Sequence, residues 1–143
     1  MPLLCMYPAA DVPVLQVSMP GLDPMSLLAF GQALAPLREE GVLIIGSGFL
    51  THNLRLGPSA GTPSWASEFD AWTAEVLSHH DIDALLDYRA GAPGVDIALP
   101  THEHFTPVII AAGATVDGPL PTTFPITGFW FGSFTKRSVQ FGA

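Results

Sequence analysis

A short apolar run that ends at glycine constrains the fold of this chain more than any other stretch. Val42-Leu43-Ile44-Ile45 is followed by Gly46-Ser47-Gly48, and His52, Asn53 and Arg55 come shortly afterwards. Apolar side chains at every position predict a strand buried on both faces, and the glycines predict its end. In open α/β sheets, ligands gather beyond the carboxyl ends of strands, which is where His52 would lie. A histidine in a polar loop explains the segment as well, and this segment alone favours that plainer interpretation.

The residues before this run predict a strand and then a helix. Residues 12–19 are apolar and rich in valine, which is typical of a strand. Asp23 is a good N-cap, and Pro24 suits the first helical position. The predicted helix has an apolar stripe at helical spacing, made by Leu27, Phe30, Leu34 and Leu37. The order strand, helix, strand predicts a right-handed crossover and a parallel sheet.

The second half of the chain predicts further helices and then strands. An amphipathic helix ending near His79 and His80 is indicated by Trp65, Phe69, Trp72 and Val76. A shorter helix through residues 82–86 and a loop at 90–100 should follow. The next helix begins either at Thr101 or at Thr106-Pro107, and the second start leaves the preceding histidines in a turn. A turn at 117–119 and strands at 122–126, 128–134 and 137–141 complete the prediction. The expected fold class is α/β, with a mostly parallel or mixed sheet flanked by helices in one domain.

Composition and charge exclude several classes of function. The chain has 143 residues and 48% hydrophobic content, enough for one packed domain. Its net charge is −8 with only five lysines and arginines, so neither nucleic acid nor a membrane surface is an expected partner. The charged fraction of 13% is low, which predicts apolar surface meant for another chain or for a missing part of this one. A single cysteine, Cys5, and an N-terminus without a basic signal region fit a cytoplasmic protein.

The five histidines differ as candidates for a site. His79 and His80 at a helix end are explained by the helix dipole. His102 and His104 share a face only on a strand, so a chelate made by these two is the less favoured interpretation. His52 and His104 each lie beside a predicted strand end, and imidazole suits both a transition metal and acid–base catalysis. Since a catalytic metal site usually has three protein ligands, residue types alone predict at most half of a site here.

Several segments resemble the class III extradiol ring-cleavage dioxygenases of the LigB superfamily, and most closely their DOPA 4,5-dioxygenase-like branch. The resemblance covers nearly the whole chain in the same order. Its segments are Tyr7-Pro8-Ala9-Ala10-Asp11-Val12-Pro13-Val14-Leu15-Gln16-Val17-Ser18, Leu37-Arg38-Glu39-Glu40-Gly41-Val42, Gly46-Ser47-Gly48-Phe49-Leu50-Thr51-His52-Asn53-Leu54-Arg55, Pro100-Thr101-His102-Glu103-His104-Phe105-Thr106-Pro107, and Gly132-Ser133 through Ser138-Val139-Gln140-Phe141-Gly142.

The resemblance implies functional roles for individual residues that the spacing of those residues does not assign. By it, His52 matches a ligand of the catalytic metal and His104 an active-site histidine near the substrate, as acid–base or hydrogen-bond donor. The implied metal is non-haem Fe(II), although zinc can occupy such sites. The implied substrates are a catechol-type molecule and O₂, and the ring is cut beside the diol. Asn53 and Arg55 either orient this site or fasten the loop.

The chain departs from the family at its beginning. The family starts with His-Gly-Ser-Pro, Ser-Ala-His-Trp and Asp-His-Gly segments, and none of these occurs here. Two of three expected metal ligands are therefore missing. We expect residues 1–143 to be the C-terminal portion of a LigB-like domain, weak or inactive by itself, with a complementary N-terminal half or a homo-oligomer as partner. The alternative is an inactive remnant or a regulatory subunit that retains the fold.

Overall fold

The computed structural model describes residues 2–57, 60–115 and 121–142. Its α-helices are α1 (Pro2–Met6), α2 (Pro24–Leu34), α3 (Pro36–Glu39), α4 (Ser64–Ser78), α5 (Ile82–Leu86), α6 (Tyr88–Gly91), α7 (Val95–Ala98) and α8 (Pro107–Gly113), and a 3₁₀ turn spans Leu54–Leu56. Its strands are β1 (Thr122–Thr123), β2 (Phe129–Trp130), β3 (Phe134–Thr135) and β4 (Gln140–Phe141). Among the helices in these ranges, none has the length and apolar character needed to cross a membrane.

Helix α2 begins where the sequence predicts and packs closely on α8. The Asp23 carboxylate accepts a hydrogen bond from the Ser26 N–H, and Pro24 occupies the first turn. Gly31 of α2 lies directly against the backbone of α8. The two helices are so close there that a Cβ at this position would overlap with the Ile110 carbonyl oxygen. The predicted stripe is confirmed only in part. Leu27 is buried together with its neighbour Leu28, whereas the other three stripe residues are half-buried.

The main core lies between α4, the short helices that follow it, and α8. The predicted amphipathic helix is confirmed as α4, which buries Phe69 and Val76. Tyr88 and Phe105 are fully buried, with ring centroids 4.6 Å apart. Helix α8 starts at Pro107 after Thr106, which confirms the later of the two predicted starts.

Both sheets of the described residues are small and antiparallel. Strand β1 pairs with β4, and β2 pairs with β3 in a hairpin. Strands β1 and β4 fall inside the segments predicted as strands at 122–126 and 137–141, but they are much shorter. The single strand predicted at 128–134 is wrong, because this segment holds β2 and the start of β3, which pair with each other. The turn predicted at 117–119 lies outside the described residues.

The predicted parallel sheet is wrong for the part of the chain that the structure describes. Residues 12–19 and 42–45 form no strand there, and their backbones make no ladder with each other. Val14, Leu15 and Leu43 are 62%, 91% and 59% exposed. A strand exists only where a neighbour accepts its backbone hydrogen bonds, and no described segment does this for them. The α/β character is retained as helices with two small antiparallel sheets.

The loop predicted at 90–100 is also partly wrong. Helix α6 ends within it and α7 lies inside it. Gly94 precedes α7 with a φ of +63°, a left-handed conformation that glycine adopts without strain. The glycine and proline residues of this stretch therefore separate two short helices.

Candidate active site

The backbone before His52 lies against the segment that carries His104. The Phe49 N–H donates to the His104 carbonyl oxygen at 2.8 Å. At Gly48 a Cβ would overlap with that same oxygen, so a side chain there would push the two segments apart. The glycines of this run, which predicted only the end of a strand, thus permit a close approach between two backbone segments.

The backbone around His52 is fixed by the end of helix α7. The His52 N–H donates to the Ala98 carbonyl at 3.0 Å. The side-chain amide of Asn53 donates to the Ile97 carbonyl at 2.6 Å. Carbonyl groups at a helix C-terminus have no hydrogen-bond donor within the helix. These two contacts supply donors to the Ala98 and Ile97 carbonyls of α7. Asn53 also accepts a hydrogen bond from the Arg55 N–H, so its side chain holds the loop after His52 against the end of α7.

The structure brings His52 and His104 into contact. Their imidazole centroids are 4.1 Å apart and the ring planes are inclined by 41°. His52 is half-buried, and the His104 side chain is 40% exposed. The two imidazoles therefore meet at the protein surface, where a small molecule could approach them.

Two phenylalanines surround His52. Phe134 stacks on its ring with centroids 5.7 Å apart and planes inclined by 27°. Phe49 lies on the same ring, also at 5.7 Å. Sequence reasoning missed both residues. Phe49 belongs to the quoted glycine-rich motif, but Phe134 comes from a distant hairpin and no sequence signal connected it with His52.

Burial and nearby charges favour the neutral form of His52. Loss of water around the ring lowers the pKa of His52, and the neighbouring His104 lowers it further, while Glu103 acts in the opposite direction. A neutral imidazole is the form that binds a metal ion. Glu103 lies 3.7 Å from the His104 Nε2, and the hydroxyl of Thr101 lowers the pKa of this glutamate through a hydrogen bond.

The other histidines do not join this pair. His102 packs edge-on against Tyr88, with centroids 5.5 Å apart, while His104 contacts His52. A chelate made by His102 and His104 is therefore not favoured. His79 caps the C-terminus of α4, as predicted, and His80 packs against Phe141 at the other small sheet.

The two imidazoles fit part of a metal site. Within the described residues, no group of three or more histidine, cysteine, aspartate or glutamate side chains could hold a metal ion. Because a catalytic metal site usually has three protein ligands, His52 and its neighbour could supply only a share of the ligands.

Comparison with known proteins assigns the family. Residues 1–124 match the family model described as the catalytic LigB subunit of aromatic ring-opening dioxygenase. This chain belongs to the LigB family. The resemblance stated from the sequence is thereby confirmed, including its DOPA 4,5-dioxygenase-like branch, because similar proteins carry the name 4,5-DOPA dioxygenase extradiol.

Two of these LigB relatives and one solved structure show the extent of the similarity. The protein from Beta vulgaris is 45% identical over 121 residues, covering 79% of this chain and 43% of the relative. The protein from Escherichia coli K12 is 35% identical over 151 aligned positions, covering 98% of this chain and 54% of the relative. The crystal structure of an uncharacterized protein from Escherichia coli K12 matches with a TM-score of 0.86 and 33% identity, over 98% of this chain and 59% of that one. This LigB chain spans about half the length of the curated relatives it matches.

Proposed function

We propose that this chain carries part of the active site of an extradiol dioxygenase that opens the ring of catechol-type substrates with O₂. The observation that supports this most directly is the contact between His52 and His104, at 4.1 Å, in a chain of the LigB family. Two histidines that are far apart in sequence meet at an accessible surface, next to aromatic side chains on which a planar ring can pack.

In this proposal His52 is a metal ligand and His104 acts on the substrate. His52 is held through its backbone and has a lowered pKa, as a neutral ligand requires. The His104 side chain is 40% exposed and lies beside the Glu103 carboxylate, so its ring can exchange a proton with a bound hydroxyl group. The proposed metal is non-haem Fe(II), with zinc as the alternative. When bound, it would hold both reactants and lower the pKa of the catechol hydroxyls.

We further propose that residues 1–143 form the C-terminal portion of a LigB-like domain and need a complementary half for activity. The exposed apolar residues at 12–17 and 42–45 support this, because soluble proteins seldom expose contiguous apolar patches unless they bind another surface. The relatives are about twice as long, and within the described residues no group of three or more possible ligand side chains joins His52. The missing ligands would come from an N-terminal half or from a second copy. The cytoplasmic location remains a prediction.

A chimera tests this function. The part of the Escherichia coli relative that this chain does not match is joined to residues 1–143, loaded with Fe(II), and assayed with a catechol for a yellow ring-opened product. We expect product from the chimera, none from its His52→Gln variant, and an undiminished rate from a His79→Gln control. The 143-residue chain alone should give no product.

Two outcomes would contradict these proposals. Tight stoichiometric binding of Fe(II) and product formation by the chain alone would contradict the need for a second half. A chimera that folds, binds Fe(II) and gives no product would favour the alternative, which is an inactive remnant or a regulatory subunit that retains the LigB-like fold.

A further inference from the structure

One buried hydroxyl holds the backbone on both sides of Phe134. Thr51 is fully buried, and its Oγ1 donates to the Ser133 carbonyl at 2.6 Å. The same oxygen accepts from the Thr135 N–H at 2.8 Å. The hydroxyl thus uses its donor and one acceptor position, which fixes the tripeptide that has Phe134 at its centre.

The ring held in this way covers the imidazole that follows Thr51 in sequence. Phe134 stacks on His52 with centroids 5.7 Å apart. Phe49 contacts the same imidazole, and its ring lies 6.5 Å from that of Phe134. The position of Phe134 against His52 therefore depends on the hydroxyl group of Thr51, the residue that precedes His52 in the sequence.

A buried ion pair anchors the hairpin side of this connection. The Thr135 hydroxyl donates to the Asp70 carboxylate of α4 at 2.6 Å. Arg137 makes a bidentate contact with the same carboxylate, at 2.9 Å and 2.6 Å, and its guanidinium lies over the Phe124 ring at 4.7 Å. Planar, two-pronged contacts of this kind fix orientation as well as distance. Thr135 is thus held from two sides, by Asp70 of α4 through its hydroxyl and by the Thr51 hydroxyl through its N–H.

We propose that Thr51 is a positioning residue, which holds Phe134 against the His52 imidazole and so fixes the ring of His52 toward His104. Asp70 anchors this arrangement through Thr135. The inference rests on the proposed role of His52 as a metal ligand. Groups that orient a ligand without touching the metal commonly change metal affinity when they are replaced.

The test compares variants that lose one buried hydroxyl. Thr51→Val removes both hydrogen bonds at nearly constant side-chain shape, and Thr51→Ser keeps the hydroxyl that makes them. Thr73→Val is the matched control, because Thr73 is also fully buried but donates to the Phe69 carbonyl within α4. NMR without metal measures the ring-proton shifts of His52 and its nuclear Overhauser contacts to Phe134. A Zn²⁺ titration followed by the same signals measures affinity.

We expect Thr51→Val to move the His52 ring signals, to weaken the contacts to Phe134 and to lower Zn²⁺ affinity about tenfold. Thr51→Ser and Thr73→Val should leave these signals in place and change the affinity less than about twofold. Phe134→Leu keeps the backbone contacts of Thr51 and removes the ring, so it should reproduce the loss of Zn²⁺ affinity even if Thr51→Val does not fold.

Unchanged His52 signals and unchanged Zn²⁺ affinity in a folded Thr51→Val chain would overturn the positioning role, and so would unchanged Zn²⁺ affinity in Phe134→Leu. If the signals move as expected but the unchanged chain shows no Zn²⁺ response at His52, the positioning role is supported and the proposed metal role of His52 fails. The two proposals are therefore separated by the same experiment.

Discussion

The imidazole rings of His52 and His104 lie 4.1 Å apart between their centroids, although the two residues belong to separate segments of the chain. A backbone hydrogen bond from Phe49 to the carbonyl of His104 brings the segments together. The absence of a side chain at Gly48 permits the approach. The pair therefore depends on a local packing arrangement as much as on the histidines themselves.

Removal of His52 should abolish most metal binding by this chain. A Zn²⁺ titration followed by NMR should show weak binding, because one proposed ligand is fewer than the three that a catalytic site usually has. His52→Gln should weaken binding at least about tenfold, whereas His104→Gln, which removes the proposed substrate-facing histidine, should weaken it less. His79→Gln removes an exposed histidine outside the pair and should leave the affinity unchanged. Equal affinity in the His52→Gln and His79→Gln variants would mean that the metal binds elsewhere.

Removal of the Asp70 charge should destabilise the fold. Asp70 and Arg137 are 8% and 13% exposed in their side chains, so loss of one partner leaves a mostly buried charge without its counter-ion. We expect Asp70→Asn to lower the free energy of unfolding by about 3 kcal/mol, measured by urea denaturation. Glu68→Gln on the exposed side of the same helix should change it by less than about 0.5 kcal/mol. Similar values for both variants would show that the ion pair contributes little.

A methyl group at Gly31 should separate α2 from α8. Its Cβ would overlap with the Ile110 carbonyl oxygen and lie 3.0 Å from the Ala114 nitrogen, and both are backbone atoms that cannot rotate away. Alanine favours a helix over glycine by about 1 kcal/mol, but overpacking costs about 1–3 kcal/mol or more. We expect Gly31→Ala to lower the thermal midpoint. Gly91→Ala in α6 meets no atom within 4 Å and should keep or raise it. A midpoint for Gly31→Ala at or above that of the unchanged chain would contradict this packing.

Stability should fall in mild acid because of His102. Burial lowers the pKa of His102 and the Arg89 charge lowers it further, while Glu103 and Asp96 oppose this. The unfolded chain, with a pKa near the ordinary 6.5, then binds more protons than the folded chain below that pH. The free energy of unfolding should therefore decrease as the pH falls from about 7.5 through 6.5 toward the lowered pKa.

His102→Phe tests this dependence while keeping an aromatic ring against Tyr88. Urea denaturation between pH 5 and 7.5 (roughly the range in which histidine titrates) should show a smaller slope for this variant than for the unchanged chain. His79→Gln, at the exposed end of α4, is the control for loss of a histidine. The prediction fails if the two variants have the same slope.

A charge in the exposed apolar segment should reduce self-association of the chain. Leu15 is 91% exposed among valines that are also exposed. Leu15→Lys should lower light scattering at a given protein concentration, since contiguous exposed apolar surface drives association. Leu54→Lys makes the same exchange at a leucine that is 69% exposed in the 3₁₀ turn, outside the segment, and should have a smaller effect. An equal reduction by both would assign the effect to net charge.

Local signals predicted the three longest helices of the described residues. Asp23 and Pro24 marked the start of α2, the aromatic periodicity predicted α4, and Thr106-Pro107 marked the start of α8. Each of these signals acts within one turn of the chain, so the sequence carries them without tertiary contacts. The predicted strands at 12–19 and 42–45 were wrong for the described residues, because a strand depends on a neighbour that local sequence does not specify.

The sequence by itself determined the family and singled out His52 and His104, because the motifs around them are contiguous segments of the chain. The family comparison confirms the first of these, and the roles of the two histidines remain predictions. Only the tertiary structure decided that the rings of His52 and His104 meet and that Phe134 stacks on His52. It also decided that His102 packs against Tyr88 and that the Asn53 side chain bonds to the end of α7. These relationships join segments that are distant in sequence, and packing and backbone hydrogen bonds, which no local pattern encodes, bring them together.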